Sequence, residues 1–146
     1  MEEREIAAGN TWIAGVDEAG RGPWAGPVVA AAVILDARSI PDGIDDSKAL
    51  TAERRSLIYD AIVASGALVS VGIACVDRID RINILNATLW AMQLAVSKLP
   101  KPPDVALIDG NRAPRLSCQT HTVVSGDASS LSIAAASIIA KVTRDV

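Results

Sequence analysis

Four acidic side chains stand where carboxylates can take part in chemistry. Asp17 and Glu18 directly follow a short apolar run, Asp109 directly follows another, and Asp127 comes just before a segment rich in alanine and serine. Acids at strand ends lie where open sheets usually place their functional sites, and a carboxylate ahead of a helix is favoured by the helix dipole. Each acid alone also fits a solvated turn or a helix cap. Position alone leaves both interpretations open.

If the four acids converge, they suit a hard divalent cation. Carboxylates without histidine or cysteine favour Mg²⁺ or Mn²⁺. Two such ions can activate a water and stabilise the leaving oxygen in a displacement at phosphorus. The sole histidine, His121, has no serine or cysteine partner at a recognisable spacing, so we interpret it as a strand-end residue rather than a base. Cys75 and Cys118 lack the spacing of a zinc site and are expected to be reduced thiols.

A glycine-rich segment follows the first two acids. Its start, Gly20-Arg21-Gly22, resembles a dinucleotide-binding turn, and an oxidoreductase of that type is one alternative. That turn requires a helix directly after the glycines, and the prolines that follow disfavour one. We predict instead that the glycines let backbone groups approach a ligand, while Arg21 binds a phosphate. A plain hairpin loop is the other interpretation.

Three basic residues outside that segment could also meet a phosphate of a nucleic-acid backbone. Lys48 lies in a polar loop, and Lys141 and Arg144 lie one helical turn apart on the last predicted helix. Solvated surface charges are the alternative explanation. The net charge of −3 argues against a general polyanion binder, but residues 1–73 carry −5 and residues 74–146 carry +2. We therefore expect any nucleic-acid surface to draw on the second half of the chain.

Apolar periodicity and capping residues predict the elements that must position these side chains. The predicted strands cover residues 12–16 and 28–35, which we expect to pair antiparallel, and then residues 69–75, 105–108 and 120–124. The predicted helices cover residues 51–66, 82–99 and 130–144. This order predicts an α/β fold with a mixed β-sheet flanked by α-helices. We expect a single domain over residues 11–146, preceded by an N-terminal tail of residues 1–10.

The apolar runs are short. None approaches the roughly 18 consecutive apolar residues of a membrane span, and no long apolar block follows the acidic N-terminus as it would in a secretory signal. We therefore expect a cytoplasmic protein without a membrane partner, and a monomer.

Two long segments resemble the signature sequences of the bacterial ribonuclease HII family, within the type 2 ribonucleases H. They are GVDEAGRGPWAGPVVAAAV at residues 15–33 and SIAAASIIAKVTRD at residues 132–145. Three shorter matches fall between them in the family's order, at residues 46–48, 80–85 and 108–110. The resemblance covers about residues 11–145.

The resemblance implies a ribonuclease H-like fold and a metal-dependent endonuclease. Its metal-binding and catalytic acids correspond to Asp17, Glu18, Asp109 and Asp127, with Mn²⁺ or Mg²⁺ as cofactor. The implied substrates are RNA/DNA hybrids and DNA duplexes that contain single ribonucleotides, cut on the 5′ side of the ribonucleotide to leave a 5′-phosphate and a 3′-hydroxyl. The Gly-Arg-Gly segment at residues 20–22 is implied to contact the ribose 2′-hydroxyl, the group that distinguishes RNA from DNA.

The resemblance departs from the family pattern at the C-terminus. Family members normally continue past the position of Asp145 through further helices and a His-Lys-Gly-Tyr-like segment, whose tyrosine stacks at the RNA–DNA junction. This chain stops at Val146, and Tyr59 lies in an early predicted helix, so the catalytic domain is expected to lack its C-terminal part. We expect exposed apolar surface on the last helix as a result. Two functions stay open: an active endonuclease, or a catalytically impaired remnant that binds hybrid or metal.

Overall fold

The computed structural model describes residues 2–7, 9, 11–20, 26–44 and 51–145. Its helices and strands follow in the order α1 Glu2–Ala7, β1 Ile13–Ala19, β2 Val28–Ile34, α2 Ala52–Ala64, β3 Leu68–Ala74, α3 Val76–Ser97, β4 Val105–Asp109, β5 Gln119–Val123, α4 Gly126–Ser129 and α5 Leu131–Asp145. The predicted α/β fold is confirmed. The short helices α1 and α4 were not predicted, and α1 lies within the segment that was expected to be a tail.

The described strands form one mixed sheet in the order β3-β2-β1-β4-β5. Strand β1 pairs antiparallel with β2, as predicted, and parallel with β4. In the parallel pair, Val16 is in register with Ile108, which places the carboxyl ends of both strands at the same edge of the sheet. This register brings the residues that follow, Asp17 and Asp109, next to one another.

Helices α3 and α5 pack closely on the sheet because small residues line both contacts. A Cβ added at Gly15 of β1 would overlap backbone atoms of Ser132 in α5, and one added at Gly72 of β3 would overlap the backbone of Ala91 in α3. Strand β2, which reads VVAAAVI, is buried along its whole length. The side-chain layer between helix and strand is therefore thin at these two points.

Helix α3 begins six residues before the predicted start of residue 82. Its first part is polar, so apolar periodicity does not mark it. Asn83 has non-helical angles, φ 66° and ψ 169°, and its side-chain oxygen accepts a hydrogen bond from the N–H of Asn86 at 3.0 Å. This local cap divides α3 into two helical parts, of which the second carries the predicted apolar stripe.

The last helix does not have the exposed apolar face that the resemblance led us to expect. Residues Ser132 to Ala140 of α5 are buried, and Leu131 at its start is exposed. The buried face packs against β1, where Gly15 allows a close approach, and against β2 and α2. None of the described helices combines the length and the hydropathy that a membrane crossing requires.

Candidate active site

Asp17 and Glu18 lie inside β1 rather than after it. Strand β1 continues to Ala19 because β2 pairs with it along the same stretch, with Asp17 opposite Ala31 and Glu18 opposite Ala30. The prediction that these two acids directly follow the strand was therefore wrong by three residues. Strand geometry, rather than a loop, holds both backbones.

Asp109 is the last residue of β4, which ends one residue later than the predicted strand of residues 105–108. Its Oδ1 accepts a hydrogen bond from the backbone N–H of Gly126 at 2.7 Å. Gly126 begins α4, the short helix that carries Asp127. The carboxylate of Asp109 thus ties the end of β4 to the turn on which the fourth predicted acid lies. The side chain of Asp127 lies outside the described residues.

The carboxyl of Asp17 is buried, with 6% of its surface exposed. Its pKa is raised from the usual 3.8 to about 9, first by burial and then by the negative charges of Glu18 and Asp109. Glu18 and Asp109 thus lie close enough to Asp17 for electrostatic repulsion of its charged form. A cation bound beside them would relieve this repulsion, so the donor set fits a hard divalent cation such as Mn²⁺ or Mg²⁺.

The described carboxylates do not by themselves complete a metal site. Within the described part of the chain, no three acidic, histidine or cysteine side chains are arranged to hold a metal ion together. The structure brings Asp17, Glu18 and Asp109 into one neighbourhood, and the predicted role of Asp127 beside them stays a prediction.

A cleft of about 290 Å³ opens beside the acids. Glu18 and Asp109 form one wall, and the side of α3 that contains Leu89 and Met92 forms another. Asn111 and Arg112, just after the Asp-Gly turn, complete the lining. Sequence reasoning missed Arg112, although its position three residues after a candidate metal ligand was a usable signal. A separate cavity of about 400 Å³, lined in part by Arg115 and Cys118, contains none of the four predicted acids.

Arg144 lies against both ends of the glycine-rich segment. Its Nε donates a hydrogen bond to the carbonyl oxygen of Pro27 at 3.3 Å. Cβ atoms added at Gly20 or Gly26 would meet the guanidinium of Arg144, so glycine leaves the room that this side chain occupies. Arg144 therefore contacts the protein backbone, and its predicted contact with a phosphate stays a prediction.

The other predicted nucleic-acid-binding residues divide into two groups. Lys141 lies on α5 and is half-buried. Arg21, Gly22 and Lys48 lie outside the described residues. His121 lies in the middle of β5, where its exposed ring pairs with Glu5, so the strand assignment was right and the strand-end position was wrong.

The fold and the acid cluster define a class of protein, the ribonuclease H-like proteins, which have a mixed sheet with carboxylates near the carboxyl ends of adjacent parallel strands. The structure is similar to the ribonuclease H2 of Pyrococcus horikoshii OT3, with a TM-score of 0.81 and 27% identity over 92% of this chain and 72% of that chain. It is also similar to Bst-RNase HIII in complex with Mn²⁺, with a TM-score of 0.76 and 25% identity over 91% of this chain and 51% of that chain.

The chain belongs to the ribonuclease HII family, whose model, Ribonuclease HII, matches residues 14–146. A ribonuclease HII of Azorhizobium caulinodans is 56% identical to it over 144 residues, which are 99% of this chain and 55% of the relative. Against eight curated relatives of that name, the chain spans 53% to 62% of their length.

Proposed function

We propose that this chain is a metal-dependent endonuclease that hydrolyses the RNA strand of RNA/DNA hybrids. We further propose that it cuts 5′ of single ribonucleotides in duplex DNA by two-metal-ion hydrolysis, leaving a 5′-phosphate and a 3′-hydroxyl. The observation that carries the proposal is the meeting of Asp17, Glu18 and Asp109 at one edge of the sheet, in a chain of the ribonuclease HII family. The proposed substrate class is supported only by the membership of the chain in this family.

Asp17, Glu18, Asp109 and Asp127 are the proposed ligands of Mn²⁺ or Mg²⁺. Two observations support this: the raised pKa of Asp17, which burial and then the charges of Glu18 and Asp109 cause, and the Mn²⁺ complex of the similar Bst-RNase HIII. Bound divalent cations would supply the Lewis acidity that activates a water and stabilises the leaving oxygen. The carboxyl of Asp17 is protonated at neutral pH without a cation, so loading of the site releases a proton from that group.

The remaining proposed contacts bind the substrate. Gly20, Arg21 and Gly22 are proposed to read the ribose 2′-hydroxyl, since glycine allows backbone groups to approach a sugar closely. Lys48, Lys141 and Arg144 are proposed to contact backbone phosphates. Arg112 adds a positive charge to the lining of the cleft that contains Glu18 and Asp109, where it can offset repulsion between a polyanionic strand and the acids.

A second candidate function is binding of hybrid or metal without turnover. The observation that favours it is the length comparison, because the chain spans little more than half of relatives such as the Azorhizobium caulinodans protein. The two functions predict different results in one assay.

The test is cleavage of an end-labelled DNA duplex that contains one ribonucleotide, with Mn²⁺ or Mg²⁺. An all-DNA duplex controls for other nucleases. Asp109→Asn removes a proposed ligand, and Asp60→Asn, an exposed carboxylate in α2, is the matched control. We expect metal-dependent cutting 5′ of the ribonucleotide by the wild type and by Asp60→Asn, and none by Asp109→Asn.

Binding of the same duplex, measured by fluorescence anisotropy, separates the outcomes. Binding without cutting by a folded wild-type protein would contradict the endonuclease and support the second function. Equal cutting by Asp109→Asn would contradict the assignment of the acids. Neither binding nor cutting would contradict both functions.

A further inference from the structure

The six-residue helix α1 is attached to the start of α5 through Glu2. The Oε2 atom of Glu2 accepts hydrogen bonds from the hydroxyl of Ser130 and, at 3.1 Å, from the backbone N–H of Ser132. Ser130 and Ser132 lie 128 and 130 positions after Glu2 in the chain. This contact therefore joins the N-terminal segment to the last helix.

Glu2 completes a helix cap that Ser130 begins. Ser130 has extended backbone angles, and its Oγ accepts a hydrogen bond from the N–H of Ile133 at 3.2 Å, as an N-cap serine does. The carboxylate of Glu2 takes the N–H of Ser132, which would otherwise lack a partner in the first turn. Ser130 and Ser132 are 3% and 2% exposed, so water has little access to either group. A negative charge at this position also interacts favourably with the helix dipole.

Glu5 makes a second contact, which attaches α1 to β5. Its carboxylate is largely buried, and its Oε1 lies 3.4 Å from Nε2 of His121 in the middle of β5. Residues 124–130 connect β5 to α5, and helix α1 thus contacts both of these elements. That connection contains α4 and Asp127.

The same connection is held from inside the site by Asp109. The hydrogen bond from the N–H of Gly126 to Asp109 fixes the first residue of α4, and Glu2 with Ser130 fixes the residue after it ends. The turn that carries Asp127 is therefore fixed at one end by a proposed metal ligand and at the other by α1.

We infer that Glu2 is a positioning residue for the turn that carries Asp127: helix α1 braces the β5–α5 connection, in which the fourth proposed metal ligand lies. This inference rests on the proposed function for the role of Asp127. The brace itself rests only on the contacts of Glu2, Ser130 and Ser132.

The test compares two variants that each lose a helix cap. Glu2→Ala removes the part of the α5 cap that Glu2 supplies, and Thr51→Ala removes the cap of α2, where Thr51 Oγ1 accepts the N–H of Arg54 at 3.2 Å. Loss of stability alone would affect both variants. Hydrogen exchange without metal is measured at the amides of Ser132 and Ile133, and Mn²⁺ affinity is measured from the free-ion signal in electron paramagnetic resonance.

We expect faster exchange at Ser132 and Ile133 and an affinity for Mn²⁺ that is about tenfold weaker in Glu2→Ala, and neither change in Thr51→Ala. Glu2→Gln keeps an acceptor oxygen and is expected to recover most of the affinity and of the exchange protection. Ser130→Ala removes the serine that Glu2 contacts in the same cap, and it serves as the test variant if Glu2→Ala does not fold.

Unchanged exchange in Glu2→Ala, or in Ser130→Ala where that variant replaces it, would overturn the brace. Faster exchange with unchanged Mn²⁺ affinity would overturn the link to Asp127. Absence of Mn²⁺ binding by the wild type would contradict the proposed function and the link together, and the exchange measurement would then decide the brace by itself.

Discussion

Replacement of Asp17 by asparagine is expected to stabilise the metal-free protein at neutral pH. Burial and the charges of Glu18 and Asp109 raise the pKa of Asp17 to about 9 in the folded state, against about 3.8 in the unfolded state. A raised folded-state pKa contributes stability that is complete below pH 4 and is lost as the pH rises toward 9. At 1.36 kcal/mol for each pKa unit, the loss reaches on the order of 4 kcal/mol by pH 7. Asparagine has nearly the same shape and does not titrate, so it avoids this loss.

The assay is thermal melting in chelator between pH 4 and pH 9. For a domain of this size, 4 kcal/mol corresponds to a rise in Tm of roughly 8–16 °C for Asp17→Asn at pH 7, and the two proteins should melt together near pH 4. Asp104→Asn is the control of opposite sign. The N–H groups of Trp12 and Thr11 lower the pKa of Asp104, so its contribution is present above pH 4 and lost at lower pH. The Asp104 variant should therefore be less stable than the wild type at pH 7. A pH-independent or negative effect of Asp17→Asn would refute the electrostatic coupling of the acids.

Three further outcomes follow from the site and the packing. Mn²⁺ at 100 times its Kd should stabilise the wild type by about 2.7 kcal/mol and Asp109→Asn by much less, and the shift in Tm measures both effects. Equal shifts in the two proteins would place the metal elsewhere. Arg112→Gln should weaken binding of a hybrid duplex and reduce the slope of log K against log salt by about 1. Arg115→Gln, on the same loop but in the other cavity, should bind the duplex as the wild type does. Identical slopes for the two variants would contradict a phosphate contact at Arg112. Gly15→Ala places a Cβ well within 3.0 Å of the backbone of Ser132, so urea unfolding should show a loss of about 3 kcal/mol or more; a loss under about 1 kcal/mol would mean that α5 can shift freely.

The sequence predicts those parts of the fold in which a local pattern of residues is compatible with only one kind of secondary structure. The unbroken run from Val28 to Ile34 is too short for a helix beside its prolines and glycines, and it forms a fully buried strand. Thr51 was predicted to cap α2 and does so. The end of β4 was predicted to within one residue because an apolar run that stops at an Asp-Gly pair is typical of a strand followed by a turn.

The parts that sequence missed depend on contacts between distant residues or on backbone angles. Glu18 is part of β1 only because β2 continues to pair beside it. The division of α3 at Asn83 requires a positive φ, which no apolar pattern reports. The role of Glu2 depends on Ser130, 128 positions away, and a single sequence gives no sign of such a pair.

The thin packing at Gly15 has a mechanical consequence for the cleft. At Gly15, helix α5 lies almost backbone to backbone on β1, so no side chain separates the two elements at this point of the strand that also carries Asp17 and Glu18. The wall on the α3 side includes the side chains of Leu89 and Met92, which lie six and nine residues after the break at Asn83. Unbranched side chains such as methionine adapt readily to a change in shape. We therefore expect a change in the shape of the cleft to come from the α3 side and from the loop at Arg112, while β1 holds the backbones of Asp17 and Glu18 in place.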